Sequence, residues 1–189
     1  NVTFKVTDGE LKITDAEINL VCPTGEAIAK VYDATALKPS ATATAVGSDE
    51  ITIEYKVGES DWTTEVPSRT AVGTTGVQVR ATAANHAEKT CEYTLTITPL
   101  DVEVTIVGNK KETIYNGTAQ DTMGYKWSAN TPLYTVDDFA FTGDSTVSGT
   151  NIGTYPMGLA ETQFSNKNTN FGNVTFKVTD GELKITDAE

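Results

Sequence analysis

The sequence predicts an all-β protein built from two small domains in tandem, and three observations support this. Apolar and polar residues alternate over short stretches, for example from Cys91 to Thr98, a pattern typical of strands with one buried face. Gly, Asn, Asp or Pro interrupts these stretches about every 8 to 12 residues. The segment Asn1 to Glu17 is also repeated without change at Asn173 to Glu189, an offset of 173 − 1 = 172 residues, which indicates a repeat array.

The repeated segment itself predicts a β-hairpin. Residues 2–7 and residues 10–14 each alternate between apolar and polar side chains, and Asp8-Gly9 lies between them. Asp-Gly between two such runs is a strong signal for a tight hairpin turn. A lone hairpin is only marginally stable in water, so we expect the apolar face of the first copy to pack on the next domain or to pair with another molecule, by strand exchange with the second copy.

Pairs of similar motifs set the domain boundaries. Tyr-Asp-Ala-Thr-Ala from Tyr32 resembles Tyr-Asn-Gly-Thr-Ala from Tyr115, and Leu-Thr-Ile-Thr from Leu95 resembles Leu-Lys-Ile-Thr from Leu183. The 172-residue period therefore holds two related domains. We expect them at residues 18–99 and 100–189, with residues 1–17 as the C-terminal hairpin of a preceding repeat.

Each domain offers enough strands for an Ig-like sandwich, and this is the favoured fold for both. A β-grasp-like arrangement stays open for the second domain, where short helical turns are expected at residues 135–139 and 159–164. In the first domain, residues 51–57 and 62–66 predict a second hairpin.

Charge and hydropathy exclude several functions. The formal net charge is −12 at pH 7, and Lys and Arg are scattered, whereas binding to nucleic acid requires clustered positive charge. We find no run of 18 apolar residues that would predict a membrane helix. The sequence therefore predicts a soluble, monomeric fragment that does not insert into a membrane.

The side chains needed for catalysis are missing from the sequence pattern. His86 is the only histidine and is expected in an exposed loop, so neither a His-based nucleophilic site nor a multi-His metal site can be assembled. Asp137-Asp138 is interpreted as charge at a helix start rather than as a calcium site. We therefore predict no enzyme activity, no cofactor and no metal.

The two cysteines, Cys22 and Cys91, fall on the first and last strands of the first domain. Such strands can be neighbours in a small β-domain, so the pair could form a disulfide; the alternative is two buried free thiols.

Three aromatic residues, Trp62, Tyr125 and Trp127, are candidates for stacking against a sugar ring. The alternative is ordinary packing, with Trp62 paired across the strands with Tyr55.

A resemblance to a known family follows from several motifs of the second domain. The sequences from Tyr115 to Thr118, Leu133 to Phe139, Gly149 to Leu159, Phe164 to Asn168 and Val174 to Gly181 together resemble the MBG and YDG-type repeats of large bacterial surface proteins. The first domain resembles the Ig-like modules that alternate with such repeats. The pattern of these repeats would have Gly at the position of Ala34. We therefore expect the turn there to differ.

The resemblance implies a non-catalytic repeat unit of an extracellular bacterial surface protein, acting as a stalk or spacer of an adhesin beside neighbouring repeats. Two alternatives stay open: a module that binds a host glycan or extracellular protein, and an accessory repeat of a large secreted enzyme.

Overall fold

The computed structural model describes residues 2–187 and divides into two compact units. Unit 1 takes the chain up to Lys30 together with Ala36–Ile97, and unit 2 takes Val31–Thr35 and the chain from Thr98 onward. The change near residue 98 lies close to the expected boundary after Pro99, whereas the assignment of Val31–Thr35 to unit 2 was not anticipated. Strands and three short 3-10 turns make up the regular secondary structure of the described residues, so the prediction of an all-β fold is confirmed.

Unit 1 contains two sheets. The strands are β1 (Ala16–Val21), β2 (Ala29–Val31), β3 (Thr42–Ala45), β4 (Thr52–Val57), β5 (Gly73–Thr82), β6 (His86–Ala87) and β7 (Lys89–Thr98), and a 3-10 turn spans Gly25–Ala27. One sheet has the strand order β3-β1-β6 and the other the order β2-β7-β5-β4. The core of unit 1 is formed by apolar side chains that alternate along β4, β5 and β7, among which Val79, Ala81 and Leu95 are fully buried.

The second hairpin that the sequence predicts is reduced to a single bridge. The turn after β4 forms as expected, because Gly58 has a positive φ of 56° and the Ser60 amide donates to the Val57 carbonyl. The returning segment, however, pairs with β4 only where Thr63 exchanges two backbone hydrogen bonds with Tyr55. Glu65 and Val66 do not extend the ladder, so residues 62–66 are not a strand.

The described part of unit 2 contains ten strands and two 3-10 turns. The turns, Val136–Asp138 and Glu161–Gln163, fall where helical turns were expected. Each has only three residues, so no α-helix is present in the described part of unit 2 to cover a sheet in a β-grasp-like manner. The strands are β8 (Leu100–Gly108), β9 (Lys110–Ile114), β10 (Gln120–Met123), β11 (Tyr125–Ala129), β12 (Phe139–Phe141), β13 (Thr146–Gly149), β14 (Gly153–Pro156), β15 (Phe164–Asn166), β16 (Phe171–Thr179) and β17 (Glu182–Thr186).

The beginning and the end of unit 2 run side by side. Strand β16 pairs in parallel with β8, and β17 pairs in parallel with β9. These pairs belong to two different three-stranded sheets, ordered β11-β8-β16 and β14-β17-β9. Two-stranded pairs, β10-β13 and β12-β15, complete the unit.

The prediction that the repeated segment is a hairpin is wrong in both copies. In the second copy, the two alternating runs form β16 and β17, which lie in different sheets and do not pair with each other. In the first copy, residues 2–15 form no helix or strand and are all exposed. The alternation predicts two strands correctly, but period-two alternation cannot tell a strand that turns back from one that crosses to another sheet.

The Asp-Gly pair of the second copy marks this crossing. Gly181 is not among the glycines with positive φ, so it does not form the primed turn that Asp-Gly commonly specifies. It is required because the chain passes very close to the β8–β9 crossing: a Cβ on Gly181 would lie 2.6 Å from the Asn109 carbonyl oxygen, and one on Gly108 would lie 2.2 Å from the Gly181 nitrogen. Close backbone approach is the second common reason for glycine in a strand.

Residues 2–15 of the first copy lack the burial that the second copy has. The side chains of Val2, Phe4, Val6, Leu11 and Ile13 are 81–88% exposed. Their counterparts in the second copy, 172 residues later, are half-buried or buried, with Leu183 0% and Ile185 2% exposed. The expected cover from the 18–99 domain is therefore not found.

The glycine of each copy gives the first prediction. We expect Gly181→Ala to lower the free energy of unfolding of unit 2 by about 1–3 kcal/mol, because the methyl group has no room. Gly9→Ala is the matched control in the same local sequence: nothing lies within 4 Å of its Cβ position, so it should have no effect. Urea unfolding of the two variants measures the difference, and equal effects would contradict the crossing.

A second repeated feature is a turn that is closed by hydrogen bonds to an Asp or Asn side chain. In one turn the Asp33 carboxylate accepts from the amide and the hydroxyl of Thr35, and in the other the Asn116 side-chain oxygen accepts the same pair from Thr118. The residues between are Ala34, with φ 62°, and Gly117, with φ 76°. The turn at Ala34 was expected to differ; it instead has the same conformation, with alanine in the left-handed region.

This strained alanine gives the second prediction. Ala34→Gly should raise the free energy of unfolding by about 0.5–1 kcal/mol, since the left-handed conformation costs alanine more than glycine. Gly117→Ala should lower it by about 1 kcal/mol. Thermal unfolding of both variants tests the pair, and a destabilised Ala34→Gly would show that the strain is absent.

Candidate functional site

The strongest candidate for a binding site is a cluster around Trp62 in unit 1. The Arg80 guanidinium carbon lies 4.6 Å from the centre of the Trp62 ring. Arg80 Nε also donates to Glu54 Oε2 at 2.8 Å, and both charged side chains are partly exposed. A guanidinium over an indole face is a favourable cation–π arrangement.

The sheet determines the positions of these side chains. Glu54 and Arg80 are directly opposite each other in the antiparallel β4–β5 pair, and the Tyr55–Thr63 bridge brings the residue before Thr63 back towards β4. Successive side chains point to opposite faces of a strand, so Arg80 lies on the polar face while Val79 and Ala81 are buried in the core.

A shallow groove runs beside the ring. It has a volume of about 280 Å³ and is lined by Trp62, Gln78, Val79, Thr90, Cys91 and Glu92. An aromatic ring flanked by amide, hydroxyl and carboxylate groups suits a ligand with an apolar face and several hydroxyl groups. Arg80 occupies one face of the indole, so a stacked ligand would have to use the other.

The other two stacking candidates, Tyr125 and Trp127, are part of the core of unit 2. The Tyr125 ring packs edge-on against Phe141 and Phe164 at 5.2 and 5.3 Å, and Trp127 packs against Phe139 at 5.4 Å. Burial raises the pKa of Tyr125 above its ordinary value. Both rings therefore serve the aromatic core, and the structure does not join them with Trp62 into one site.

Asp138 serves as a structural cap. Its carboxylate accepts hydrogen bonds from the amide and hydroxyl of Thr135, at 2.6 and 2.8 Å, and from the Asn168 amide at 2.7 Å. Burial alone would raise the pKa of Asp138, but the hydrogen bonds from Asn168 and Thr135 and the charge of Lys167 outweigh it and hold the pKa below its usual value. The sequence-based interpretation as helix-start charge agrees with this capping box.

Tyr134 packs beside this cap. Burial, followed by the nearby Asp138 charge, raises the pKa of Tyr134 to about 12. Its hydroxyl lies 3.3 Å from both the Asp138 carbonyl and the Asn166 side-chain oxygen. The Asp138 carboxylate and the Tyr134 phenol thus anchor the 3-10 turn to β15 and the residues after it. Separately, no group of three or more potential metal ligands occurs among residues 2–187.

His86 differs from expectation, because its side chain is only 3% exposed. One ring nitrogen lies 2.6 Å from the Ala84 carbonyl oxygen, the other lies 3.0 Å from that of Val46, and Asp49 is 3.7 Å away. The ring thus connects the start of β6 to the loop after β3. Sequence alone gave no sign of this, since both partners are backbone carbonyls.

The structure joins Cys22 and Cys91 in a disulfide, with 6.2 Å between their Cα atoms. Cys22 directly follows β1, in one sheet of unit 1, and Cys91 lies in β7, in the other sheet. The bond therefore connects the two sheets and closes a loop with a sequence separation of 69.

The disulfide gives the third prediction. Replacing both cysteines, Cys22→Ala with Cys91→Ala, should lower the free energy of unfolding of unit 1 by about 4 kcal/mol, the chain-entropy value for a loop of this length. Unit 2 should unfold as before, which provides an internal control. Alkylation of two thiols in unfolded, unreduced protein would contradict the bond.

Comparisons with known proteins identify no family for the chain. No family model matches the sequence, and no curated protein is similar to it. Three solved structures illustrate the structural likeness: the N-terminal four Ig domains of Dscam1 isoform 6.9 (9% identity, TM-score 0.29), the Bacteroides ovatus protein SGBP-B of a mixed-linkage glucan utilization locus in complex with a heptasaccharide (12%, 0.32), and fibronectin(III)-like modules of Clostridium thermocellum CbhA (10%, 0.30).

The alignments cover 94%, 90% and 90% of this chain and 47%, 47% and 95% of those chains, respectively. The chain thus spans about half the length of the first two. At these TM-scores the likeness carries no information on function. Within the described residues, no helix has the length and apolar character needed to cross a membrane.

Proposed function

We propose that the chain is a non-catalytic repeat of an extracellular surface protein and acts as a spacer that resists mechanical tension. The observation that carries the proposal is the parallel pairing of the first two strands of unit 2 with the last two, β8 with β16 and β9 with β17. Seven residue pairs align β8 with β16, and five align β9 with β17.

This pairing determines how tension would act on unit 2. A pull on the chain enters at the start of β8 and leaves at the end of β17, which are opposite ends of the parallel ladder. The force then runs along the strands and loads the evenly spaced hydrogen bonds together. A pull that separates two strands from one end would instead break the bonds one after another, at a lower force.

Unit 1 has the same arrangement in a shorter form. β1 pairs in parallel with β6 at Ala16 and Glu17, and the disulfide links Cys22 to Cys91. A pull on unit 1 therefore cannot extend the residues between the two cysteines while the bond is intact.

Three further observations are compatible with a spacer outside the cell. The 172-residue duplication is typical of tandem arrays, a disulfide persists in an oxidising compartment, and the net charge of −12 favours solubility in a crowded array. The resemblance to MBG and YDG-type repeats points in the same direction.

Single-molecule pulling tests the spacer proposal, and it is the fourth prediction. With handles at the two termini, unit 2 should unfold in one step, releasing roughly 300 Å of chain at about 3.5 Å per residue. Oxidised unit 1 should release much less, so the two events can be told apart.

The control changes only the direction of the force. One handle stays at the N-terminus, and the other moves to position 132, introduced by Pro132→Cys in a turn after β11. This pull separates β11 from the start of β8, its antiparallel neighbour. Unit 2 should then open at a force several-fold lower than in the terminal pull. Equal forces in the two directions would show that the parallel ladder bears no special load.

A second candidate function, binding of a glycan, is favoured by the groove beside Trp62. Retention of the chain on a glycan array, lost in Trp62→Ala and kept in Tyr115→Ala, would establish it. Tyr115 is a suitable control because it is an exposed aromatic residue in the other unit. No retention of the unaltered chain would leave the spacer as the better account.

A further inference from the structure

We infer that residues 2–14 bind a second molecule of this chain when that molecule's own residues 174–186 leave the surface that they cover. The partner surface is the closing groove, which we define as the surface of β8, β9 and β14 that β16 and β17 cover in unit 2. The inference concerns self-association and stands independently of the spacer role.

The first argument is sequence identity combined with opposite burial. Residues 1–17 and 173–189 are the same, so every side chain that fits the closing groove in the second copy exists in the first. Phe176, Leu183 and Ile185 are 8%, 0% and 2% exposed, whereas Phe4, Leu11 and Ile13 are 84%, 88% and 86% exposed. Residues 2–14 therefore expose the same apolar side chains that the closing groove covers in the second copy.

The second argument is that charges fix the register in the groove. The Lys177 Nζ atom lies 2.6 Å from Glu103 Oε2, and the Lys184 Nζ atom lies 2.8 Å from Glu112 Oε1. The Glu182 Oε1 atom lies 3.6 Å from Lys110 Nζ. Lys5, Lys12 and Glu10 are the corresponding residues of the first copy. A segment shifted by one residue would lose these pairs and turn its apolar side chains outward.

The third argument concerns the sharp crossing between the two strands. Asp180 accepts from the amides of Gly158 and Leu159 at 3.0 and 2.8 Å, and the Met157 amide donates to the Gly181 carbonyl at 2.9 Å. Asp8 and Gly9 supply the same groups in the first copy. Few other sequences could satisfy both the hydrogen bonds and the lack of space at the glycine.

The unaltered chain should be monomeric, because its own second copy is tethered to the groove and has a much higher effective concentration than a segment from another molecule. Binding in trans is therefore expected when the second copy is weakened. Strand exchange of this kind is a known route to association between identical chains.

The test disables one copy at a time with the same substitutions. Leu183→Asp with Ile185→Asp places charges at buried positions of the second copy. The matched control, Leu11→Asp with Ile13→Asp, makes the same change at exposed positions of the first copy. A third chain carries all four substitutions. Light scattering gives the mass, and amide exchange of Val102–Ile106 in β8 reports whether the groove is filled.

We expect the L11D/I13D chain to remain a monomer with β8 protected. The L183D/I185D chain should form dimers or larger species, in proportion to concentration, with β8 exchanging about 100-fold more slowly than in the four-substitution chain. The four-substitution chain should stay monomeric with β8 unprotected.

The inference is overturned if the L183D/I185D chain is monomeric at all concentrations, or if the four-substitution chain assembles equally well through general aggregation. Because charged substitutions could unfold unit 2 beyond rescue, the alanine pair Leu183→Ala with Ile185→Ala is measured in parallel. If the alanine variant associates and the added L11D/I13D substitutions abolish that association, the inference is supported. If the alanine variant stays monomeric at concentrations where its β8 amides have lost protection, the inference is contradicted.

Discussion

The structure of unit 2 depends on one constraint: its first two strands, β8 and β9, pair in parallel with its last two, β16 and β17, and both stretches change sheets at the same place. The two crossings, at Gly108 and Gly181, approach so closely that neither residue has room for a Cβ. On one side of the crossings the ladder buries Val104 and Ile106, and on the other side it buries Leu183 and Ile185. Closing the chain in this way connects both sheets and aligns the register of the unit.

The same constraint explains why identical sequences have different structures within one chain. The second copy lies against β8 and β9, which supply its backbone partners and its apolar cover. The first copy finds no such surface in unit 1, and residues 2–15 remain exposed. Alternation and β-propensity are thus insufficient for a strand, because the hydrogen bonds and the burial must come from elsewhere in the fold.

The sequence predicted the strands better than it predicted their partners. Alternating residues in β5, β7 and β8 identified buried faces correctly, and Thr135 with Asp138 identified a capped turn. The pattern could not show that Asp180-Gly181 is a crossing, because a hairpin and a crossing share the same alternation and differ in the φ of glycine and in what lies beside it. Nor could the pattern show that Ala34 adopts the conformation of Gly117. The left-handed conformation costs alanine little free energy, and the hydrogen bonds from Thr35 to the Asp33 side chain outweigh that cost.

The candidate site was predictable only in part. Trp62 was identified as an aromatic residue of interest, but its contact with Arg80 arises from the β4–β5 register, which no local pattern specifies. For Tyr125 and Trp127 ordinary packing was already the favoured interpretation, but their exposure could not be judged before the partners of β11 were known. His86 lies between backbone carbonyls, and such partners leave no trace in the side-chain sequence.

The most direct test of the account is to measure amide exchange separately in the two copies of the repeated segment in the unaltered chain. Since the copies have the same residues, their intrinsic exchange rates match, and any difference reports structure alone. The account predicts that amides of residues 174–186 that pair in the ladder are protected to the stability of unit 2, while those of residues 2–14 exchange at rates close to those of an unfolded peptide. Similar protection in both copies would contradict it.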